Sequence, residues 1–363
     1  MTISRRNLFV AAGSALLAAA ALTPAAAQED FYKGKRLTVL VNYAAGGPTD
    51  VEGRLFAKFV SRHIDGAPGV IVQNMDGAGG LIGTKFLGEI APKDGTVVGY
   101  LTGAAWQSAS DATPRPVDFK TYEFVAYQPG TSVYFARTDI KPGLKNAVDL
   151  ARAEGVIVGG LGVDNAKDIL LRLTMDMLGV KFKYVTGYKG SQGARLALQQ
   201  GEINLYSESP PSYRGIIEPQ FVAKGEAIGL FYDPGYNGVS FRVPKQMEGV
   251  DLLPYHELYK KIKGEEPKGE LWDAYRTIIA LNGAMQRMIV MPPNAPQASI
   301  DSIRKAIAAM SNDKDYQDEC MKTFGFVPEY IMDSTVNDQV RKALTVTPQM
   351  REFIHAYAKN MPR

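Results

Sequence analysis

The sequence predicts an α/β fold of two lobes, each a mainly parallel sheet flanked by helices. The first observation is that short β-rich runs alternate with helical patterns from Arg36: RLTVLV, VEGRLFAKFVSRHI, VIVQN, LIGTKFLGEI and TVVGYL. The second is that a similar series follows later: VIVGGLG, AKDILLRLTMDMLG, FKYVTGYKG, QGARLALQQG and EINLYSE. Alternation of this kind is typical of parallel sheets with right-handed crossovers. Two such series predict two lobes.

The chain is expected to cross between the lobes twice, because Pro and Gly interrupt the periodic segments near 126–129 and 230–234. The late strand RMIVMPP and the amphipathic helix SIDSIRKAIAAMSND are assigned back to the first lobe. The predicted units are a first lobe of residues 28–127 plus 235–335, a second lobe of 128–234, and a C-terminal helical segment, 336–363, packed on both. This clamshell topology places a ligand cleft between the lobes.

Residues 1–27 are typical of an export signal, with a basic start, an apolar stretch and a small-residue ending. Arg5 and Arg6, in SRRNLF, resemble a twin-arginine signal. We predict cleavage near Ala27 and an exported soluble protein; a transmembrane anchor is the alternative. No Cys lies near this boundary, so a lipid-anchored protein is not indicated.

The charge balance gives no indication of a nucleic acid or an anionic membrane as partner. Loss of Arg5 and Arg6 with the signal would leave 39 of the 41 basic residues, against 38 acidic residues. Cys320 is the one cysteine, so no intramolecular disulfide forms, and we expect it to be an ordinary helix residue. With 45% hydrophobic residues, the chain is able to bury two cores.

Four loops that follow predicted strands are rich in Gly, Ala and small polar residues: YAAGGPTD at 43–50, NMDGAGG at 74–80, TGAAWQS at 102–108 and GGLGVDNAK at 159–167. Ligands of open parallel sheets lie at the carboxyl ends of the strands. After the first and fourth loops a helix begins, and the free N–H groups of its first turn favour a carboxylate or similar anion. The alternative is a tight turn in which Thr49 or Asp50 is merely the N-cap.

Catalytic motifs are missing. GAGGLIG lacks the third glycine of a dinucleotide fingerprint because Ile82 occupies its place, and Lys189 takes the first glycine position of a nucleophile elbow around Ser191. His63, His256 and His355 are not spaced as metal ligands. We therefore expect no enzyme activity, catalytic residue, metal or cofactor.

Several larger side chains are expected to reach the cleft. Trp106 either covers an apolar or aromatic ligand face or packs between the lobes. Tyr188 and Lys189 follow one second-lobe strand, and Ser207 and Glu208 follow another. For Lys189 and Glu208 the alternatives are a solvated loop or a mutual salt bridge. Met285, Met288 and Met291 are expected in the core.

Four stretches together resemble the Bug family, the receptors of tripartite tricarboxylate transporters: RLTVLVNYAAGGPTDVEGRLFAKFV, VIVQNMDGAGGLIGTKFL, YKGSQGARLALQQGEINL and the late strand with its helix. The likeness covers most of 36–235 in order. The resemblance implies a periplasmic, TctC-like solute-binding protein whose lobes close on a small organic acid for a membrane transporter. It makes YAAGGPTD the first anion-binding loop and GGLGVDNAK the second, although Leu161, Val163 and Asp164 replace the usual small or hydroxyl residues there.

From these loops and the resemblance we predict one set of ligand-binding residues: Tyr43, Ala44, Ala45, Gly46, Gly47, Thr49, Asp50, Ala78, Gly79, Ala105, Trp106, Gly160, Leu161, Gly162, Asp164, Asn165, Tyr188, Lys189, Ser207 and Glu208. The expected ligand is a small carboxylate, dicarboxylic or, if Trp106 lines the cleft, aromatic. The expected partners are membrane transporter subunits, and the expected state is a monomer. The alternatives are a periplasmic enzyme or cofactor carrier on this scaffold and a sensor subunit that presents its ligand to a membrane kinase. Residues 236–285 are longer and more charged than the family's usual link, and are either a surface elaboration or a partner contact.

Overall fold

A computed structural model describes residues 31–110, 118–236, 239–333 and 346–360. The predicted export signal and part of the predicted C-terminal segment lie outside these residues. No helix in the described part of the chain is long and apolar enough to span a membrane.

The first of two five-stranded sheets has the order β2-β1-β3-β12-β4. Its strands are β1 Arg36–Val41, β2 Gly69–Asn74, β3 Val97–Thr102, β4 Glu123–Gln128 and β12 Arg287–Met291. Strand β1 pairs in parallel with β2 and β3, and β12 is antiparallel to β3 and β4. The helices along this sheet are α1 Pro48–His63, α2 Leu81–Glu89, α3 Ala104–Ser110, α9 Gln297–Ser311 and α10 Lys314–Phe324.

The second sheet repeats this pattern with the order β7-β6-β8-β5-β9. Its strands are β5 Val133–Arg137, β6 Val156–Gly160, β7 Phe182–Thr186, β8 Leu205–Glu208 and β9 Ala227–Tyr232. Three parallel strands are again followed by an antiparallel one, β5. Its helices are α4 Ala166–Leu178, α5 Gly190–Gln200 and α6 Pro210–Ser212, which continues as a π-helix over Tyr213–Val222. The predicted fold class is confirmed.

The burial of each strand explains whether its sequence alternates between apolar and polar residues. Strands β8 and β12 are buried at every residue, and their sequences LYSE and RMIVM show no clean alternation because helices or loops cover both faces. Strand β2, at an edge of its sheet, alternates exposed and half-buried residues. Met285, Met288 and Met291 are buried as expected, and Cys320 lies on α10 as expected, where it is also buried.

Residues 236–285 add a helical layer. They form a hairpin of β10 Gly235–Tyr236 and β11 Phe241–Arg242, then α7 Tyr255–Lys263 and α8 Glu270–Ala284. Helix α8 packs against α4, and Trp272 stacks on Tyr275 with ring centroids 5.1 Å apart. Helix α11, Pro348–Lys359, packs on α3 and α8. Residues 236–285 therefore contribute to the buried core as well as to the surface. Short 3₁₀ turns complete the described elements at Ala78–Gly80, Phe119–Thr121, Ala147–Arg152 and Lys245–Met247.

The histidines have local roles. His63 Nε2 lies 3.0 Å from a carboxylate oxygen of Asp313, and the ring of His256 stacks on Phe241. His355 lies on α11. Among the described residues, no group of three or more His, Cys, Asp or Glu side chains is arranged to hold a metal ion.

Candidate functional site

A cavity of about 440 Å³ lies where the carboxyl ends of the parallel strands of both sheets meet. Its walls come from the loops after β1, β2, β3, β6, β7 and β8, and from the end of α8 and the start of β12. The lining residues are Tyr43, Ala44, Gly47, Pro48, Thr49, Ala78, Gly79, Leu81, Thr102, Gly103, Trp106, Gln107, Ser132, Leu161, Gly162, Val163, Asp164, Asn165, Ala166, Lys167, Gly190, Ser191, Glu208, Ser209, Asn282, Gln286 and Arg287.

The structure brings twelve of the predicted ligand-binding residues together in this lining: Tyr43, Ala44, Gly47, Thr49, Ala78, Gly79, Trp106, Leu161, Gly162, Asp164, Asn165 and Glu208. The other predicted residues flank the cavity without lining it: Ala45, Gly46, Asp50, Ala105, Gly160, Tyr188, Lys189 and Ser207. Tyr188 points toward the surface, where its hydroxyl lies 3.4 Å from Glu202.

The first loop turns into α1 at Gly47, which is the N-cap and has no side chain to bond the open N–H groups of the helix. Neither Thr49 nor Asp50 is the N-cap. The carboxylate of Asp50 is directed inward and accepts from the Gly46 N–H at 2.8 Å, Asn74 Nδ2 at 2.8 Å and Arg54 Nε at 3.0 Å. Burial alone would raise the pKa of Asp50, but these hydrogen bonds outweigh it and lower the pKa. Asp50 thus fixes the turn, and the N-terminus of α1 stays open to an anion.

The loop after β6 is closed by its own side chains. Asn165, the N-cap of α4, accepts from the Lys167 N–H. Asp168 Oδ2 accepts from the Leu161 N–H at 2.6 Å, the Gly162 N–H at 2.9 Å and the Tyr184 hydroxyl at 3.1 Å. Asp168 is fully buried, and burial raises its pKa. Two of the predicted ligand-binding residues, Leu161 and Gly162, therefore already have their N–H groups bonded to a carboxylate of the protein, and Asn165 caps the first turn of α4.

Helix α5 provides the second open N-terminus. Its N-cap is Lys189, whose ammonium has no acceptor atom for the N–H groups of the first turn. Gly190 and Ser191 of that turn line the cavity. A Cβ atom added to Gly190 would lie 3.9 Å from Cβ of Ala44, so the start of α5 faces the loop that precedes α1. Two helix N-termini without a side-chain cap, one from each sheet, thus border the same cavity.

Two cationic side chains in the lining were missed by the sequence analysis. Lys167 Nζ donates to the hydroxyl of Tyr206 at 2.9 Å and the carbonyl of Ser207 at 2.7 Å, both uncharged acceptors. Its charge also opposes the rise in the pKa of Asp168. Arg287 opens β12, donates to Glu52, and has Nη2 3.3 Å from Ser209 Oγ. An arginine at the head of the apolar strand RMIVM was the available signal, because a buried strand admits a charge only where that charge is paired.

Contacts between the two sides close the cavity. Trp106, almost fully buried, donates from Nε1 to the Asp164 carbonyl at 2.8 Å, so it both lines the cavity and joins α3 to the second loop. Asn165 Nδ2 lies 3.5 Å from the hydroxyl of Tyr43, and burial raises the pKa of Tyr43 to about 12. Burial also raises the pKa of Asp164. Glu208 pairs with Arg195 at 2.8 Å and not with Lys189.

We predict that Asp168→Ala lowers the free energy of unfolding by roughly 2–4 kcal/mol, because the half-buried N–H groups of Leu161 and Gly162 and the buried hydroxyl of Tyr184 lose their acceptor. Urea unfolding at pH 7 measures this loss. Asp176→Ala, on the same helix but bonded through its carboxylate only to the Tyr357 hydroxyl, is the matched control and should cost less. Equal stability of Asp168→Ala and the wild type would contradict the role given to Asp168.

No protein-family model matches the chain. It is 33% identical over 200 residues to a UPF0065 protein in the TAR-I ttuE-ttuC' intergenic region of Agrobacterium vitis, which is 53% of this chain and 56% of that relative. It is 28% identical over 230 residues to a UPF0065 protein in the gbd 5' region of Cupriavidus necator, covering 57% and 64%. The chain thus spans less than two thirds of the length of these curated relatives.

Solved structures decide the fold. The periplasmic binding protein BugD superposes with a TM-score of 0.64 at 21% identity, covering 89% of this chain and 97% of BugD. The chain has the fold of the Bug-type periplasmic binding proteins. MatC of Rhodopseudomonas palustris, solved with malate, gives a TM-score of 0.62 at 15% identity, covering 88% and 98%. Rpa4515 of R. palustris, solved with adipate, gives 0.67 at 18% identity, covering 90% and 98%. The resemblance to the Bug and TctC proteins is confirmed.

Proposed function

We propose that this Bug-type chain is a periplasmic solute-binding protein that captures a small organic carboxylate and delivers it to a tripartite tricarboxylate-type transporter. It performs no catalysis, takes no cofactor and no nucleic acid, and acts as a monomer after its export signal is removed near Ala27. The observation that carries the proposal is that the N-termini of α1 and α5, neither of which has a side-chain cap, both line the cavity.

The cavity has the chemistry that an organic acid needs. Each helix N-terminus carries roughly half a positive charge and presents free N–H groups. The ammonium of Lys167 adds positive charge, and Arg287, whose charge Glu52 balances, lines the cavity as a further N–H donor. Trp106, Leu161 and Val163 provide apolar wall. A volume of about 440 Å³ suits a small ligand. Malate and adipate, which are bound in the two structural neighbours, are small carboxylates.

Contacts between the two sides of the cavity support the proposal that two lobes close on the ligand. We propose lobes of 28–127 plus 235–335 and of 128–234, with 336–363 packed on both. The Trp106–Asp164 and Arg287–Ser209 contacts join the two sides around the cavity. A ligand that binds only when these contacts form stabilises the closed form. Isothermal titration of ligand-free protein with mono-, di- and aromatic carboxylates tests the function; binding of none of them would contradict it.

We predict that Gly47→Val abolishes carboxylate binding and leaves the melting temperature of the free protein nearly unchanged. Gly47 has φ −82°, and an added Cβ meets only the Ala44 carbonyl, at 3.5 Å, so the fold accepts a side chain that covers the open N–H groups of α1. Thermal unfolding with and without ligand measures both effects, since a ligand that binds only the native state raises the melting temperature.

The matched control is Gly69→Val, the same change at the start of β2 where an added Cβ has open space around it and no cavity nearby. It should keep the ligand-induced rise. If Gly47→Val unfolds the protein, the turn is structural; if it binds as the wild type does, the carboxylate lies elsewhere.

A further inference from the structure

Two residues that line the cavity each have a buried side-chain oxygen with no hydrogen-bond donor among the described residues. Glu208 is fully buried; its Oε1 accepts from Arg195 Nη1 at 2.8 Å, and its Oε2 has no partner. Gln107 donates from Nε2 to the Gly79 carbonyl at 2.7 Å, which leaves its Oε1 without a partner. Both residues line the cavity.

Each of these two oxygen atoms lacks a hydrogen-bond donor. A buried acceptor without a donor destabilises the ligand-free protein, and a ligand that supplies the donor recovers that cost on binding. The N–H groups of α1 and α5, with Lys167 and Arg287, offer donors to a carboxylate, whereas Glu208 Oε2 and Gln107 Oε1 only accept. A ligand made of carboxylates and hydrocarbon satisfies the first set and leaves the second set unpaired.

We infer that the ligand is a carboxylate that also carries a hydroxyl or ammonium group, and that this group donates to Glu208 Oε2. The inference rests on the proposed function and narrows its substrate class. Arg195 already balances the charge of Glu208, so both a neutral hydroxyl and an ammonium fit the acceptor. Gln107 Oε1 accepts a second donor where the ligand has one.

The test compares acids that share a carbon skeleton. Isothermal titration of ligand-free protein uses succinate, malate and aspartate; glutarate, 2-hydroxyglutarate and glutamate; and benzoate with 3-hydroxybenzoate. In the skeleton that fits, the donor-bearing acid should bind at least about tenfold more tightly than the bare acid, the size of effect expected when a buried acceptor gains its donor. The hydroxyl and amino members show which donor the site takes.

Glu208→Gln assigns the effect to its atom. Arg195 donates to the amide oxygen of the new side chain, so the amide NH₂ takes the position of Oε2. The NH₂ group then meets the hydroxyl or ammonium group of the ligand, and neither group can accept a hydrogen bond from the other in that arrangement. The preference should fall to about onefold or reverse. Glu202→Gln, an exposed carboxylate near Tyr188 and outside the cavity, is the matched control and should keep the preference.

Each outcome has one meaning. If carboxylates bind without any preference for the donor-bearing acid, this inference is overturned and the proposed function stands. The wild-type titrations alone give this result, even if Glu208→Gln fails to fold. A preference that persists in folded Glu208→Gln overturns the assignment to Glu208. No binding by any acid of the panel overturns the proposed function and this inference together.

Discussion

Arg287→Met should lower the free energy of unfolding by about 3–5 kcal/mol, because it leaves a carboxylate buried without its partner. Arg287 and Glu52 are 2% and 5% exposed, and both Nε and Nη2 of Arg287 donate to one oxygen of Glu52. Burial raises the pKa of Glu52, and the charge and hydrogen bonds of Arg287 oppose that rise. Urea unfolding at pH 7 measures the loss.

The double variant Glu52→Gln with Arg287→Met is the control. With both charges gone, much of the stability should return, since a buried ion pair often contributes little beyond the cost of breaking it. The loss in Arg287→Met should also shrink at acid pH, where Glu52 is protonated in both the folded and unfolded states. A single variant as stable as the wild type, or a double variant that recovers nothing, would contradict this reading of the pair.

Asp233→Asn should make the protein more stable than the wild type above pH 7 and leave it similar near pH 4. Asp233 is buried, and its carboxylate accepts from the hydroxyls of Tyr134 and Tyr275. Burial raises its pKa to about 7, against the opposing hydrogen bonds from Tyr275 and Tyr134. Its backbone bonds Ser132 and Thr131, so it ties the two segments that cross between the sheets.

The sign of the pH dependence follows from the raised pKa. At pH 4 Asp233 is protonated in the folded chain and only about half ionised in the unfolded chain, so the cost of burying it is still small. As the pH rises toward 7, Asp233 ionises in the unfolded chain but stays protonated in the folded chain. Asp233 therefore lowers the free energy of unfolding of the wild type by about 4 kcal/mol, and this loss levels off above pH 7. Urea unfolding of both proteins from pH 4 to 8 measures the difference. Asp251→Asn, at an exposed position, is the control, and a pH-independent difference for Asp233→Asn would contradict the prediction.

Local pattern was enough for the fold and for part of the site. The alternation of strand and helix names three strands of each sheet and the late strand β12, but not β4, β5 or β9. The glycine-rich loops fall at the cavity because strand ends meet there. Hydrophobic periodicity does not report strand direction, so nothing local showed that β5 and β12 run antiparallel to their neighbours.

The side-chain pairings of the site could not be read from the sequence, since they join residues far apart in the chain. Asp168 looks like any acid in a first helical turn until its bonds to Leu161 and Gly162 are seen. Arg287 lies 235 positions from Glu52, and a strand pattern alone assigns it to the core. Lys189 was expected to reach the cleft with its side chain, whereas what it contributes is the uncapped start of α5.

A crystal structure with the tightest-binding acid of the panel tests most directly the claim that the starts of α1 and α5, which both line the cavity, hold a carboxylate. The account predicts one acid per chain, with a carboxylate oxygen within about 3 Å of an N–H group in the first turn of α1 or α5. Its other polar group should lie within reach of Glu208. An acid bound outside the cavity, or one whose carboxylates avoid both helix starts, would contradict the account.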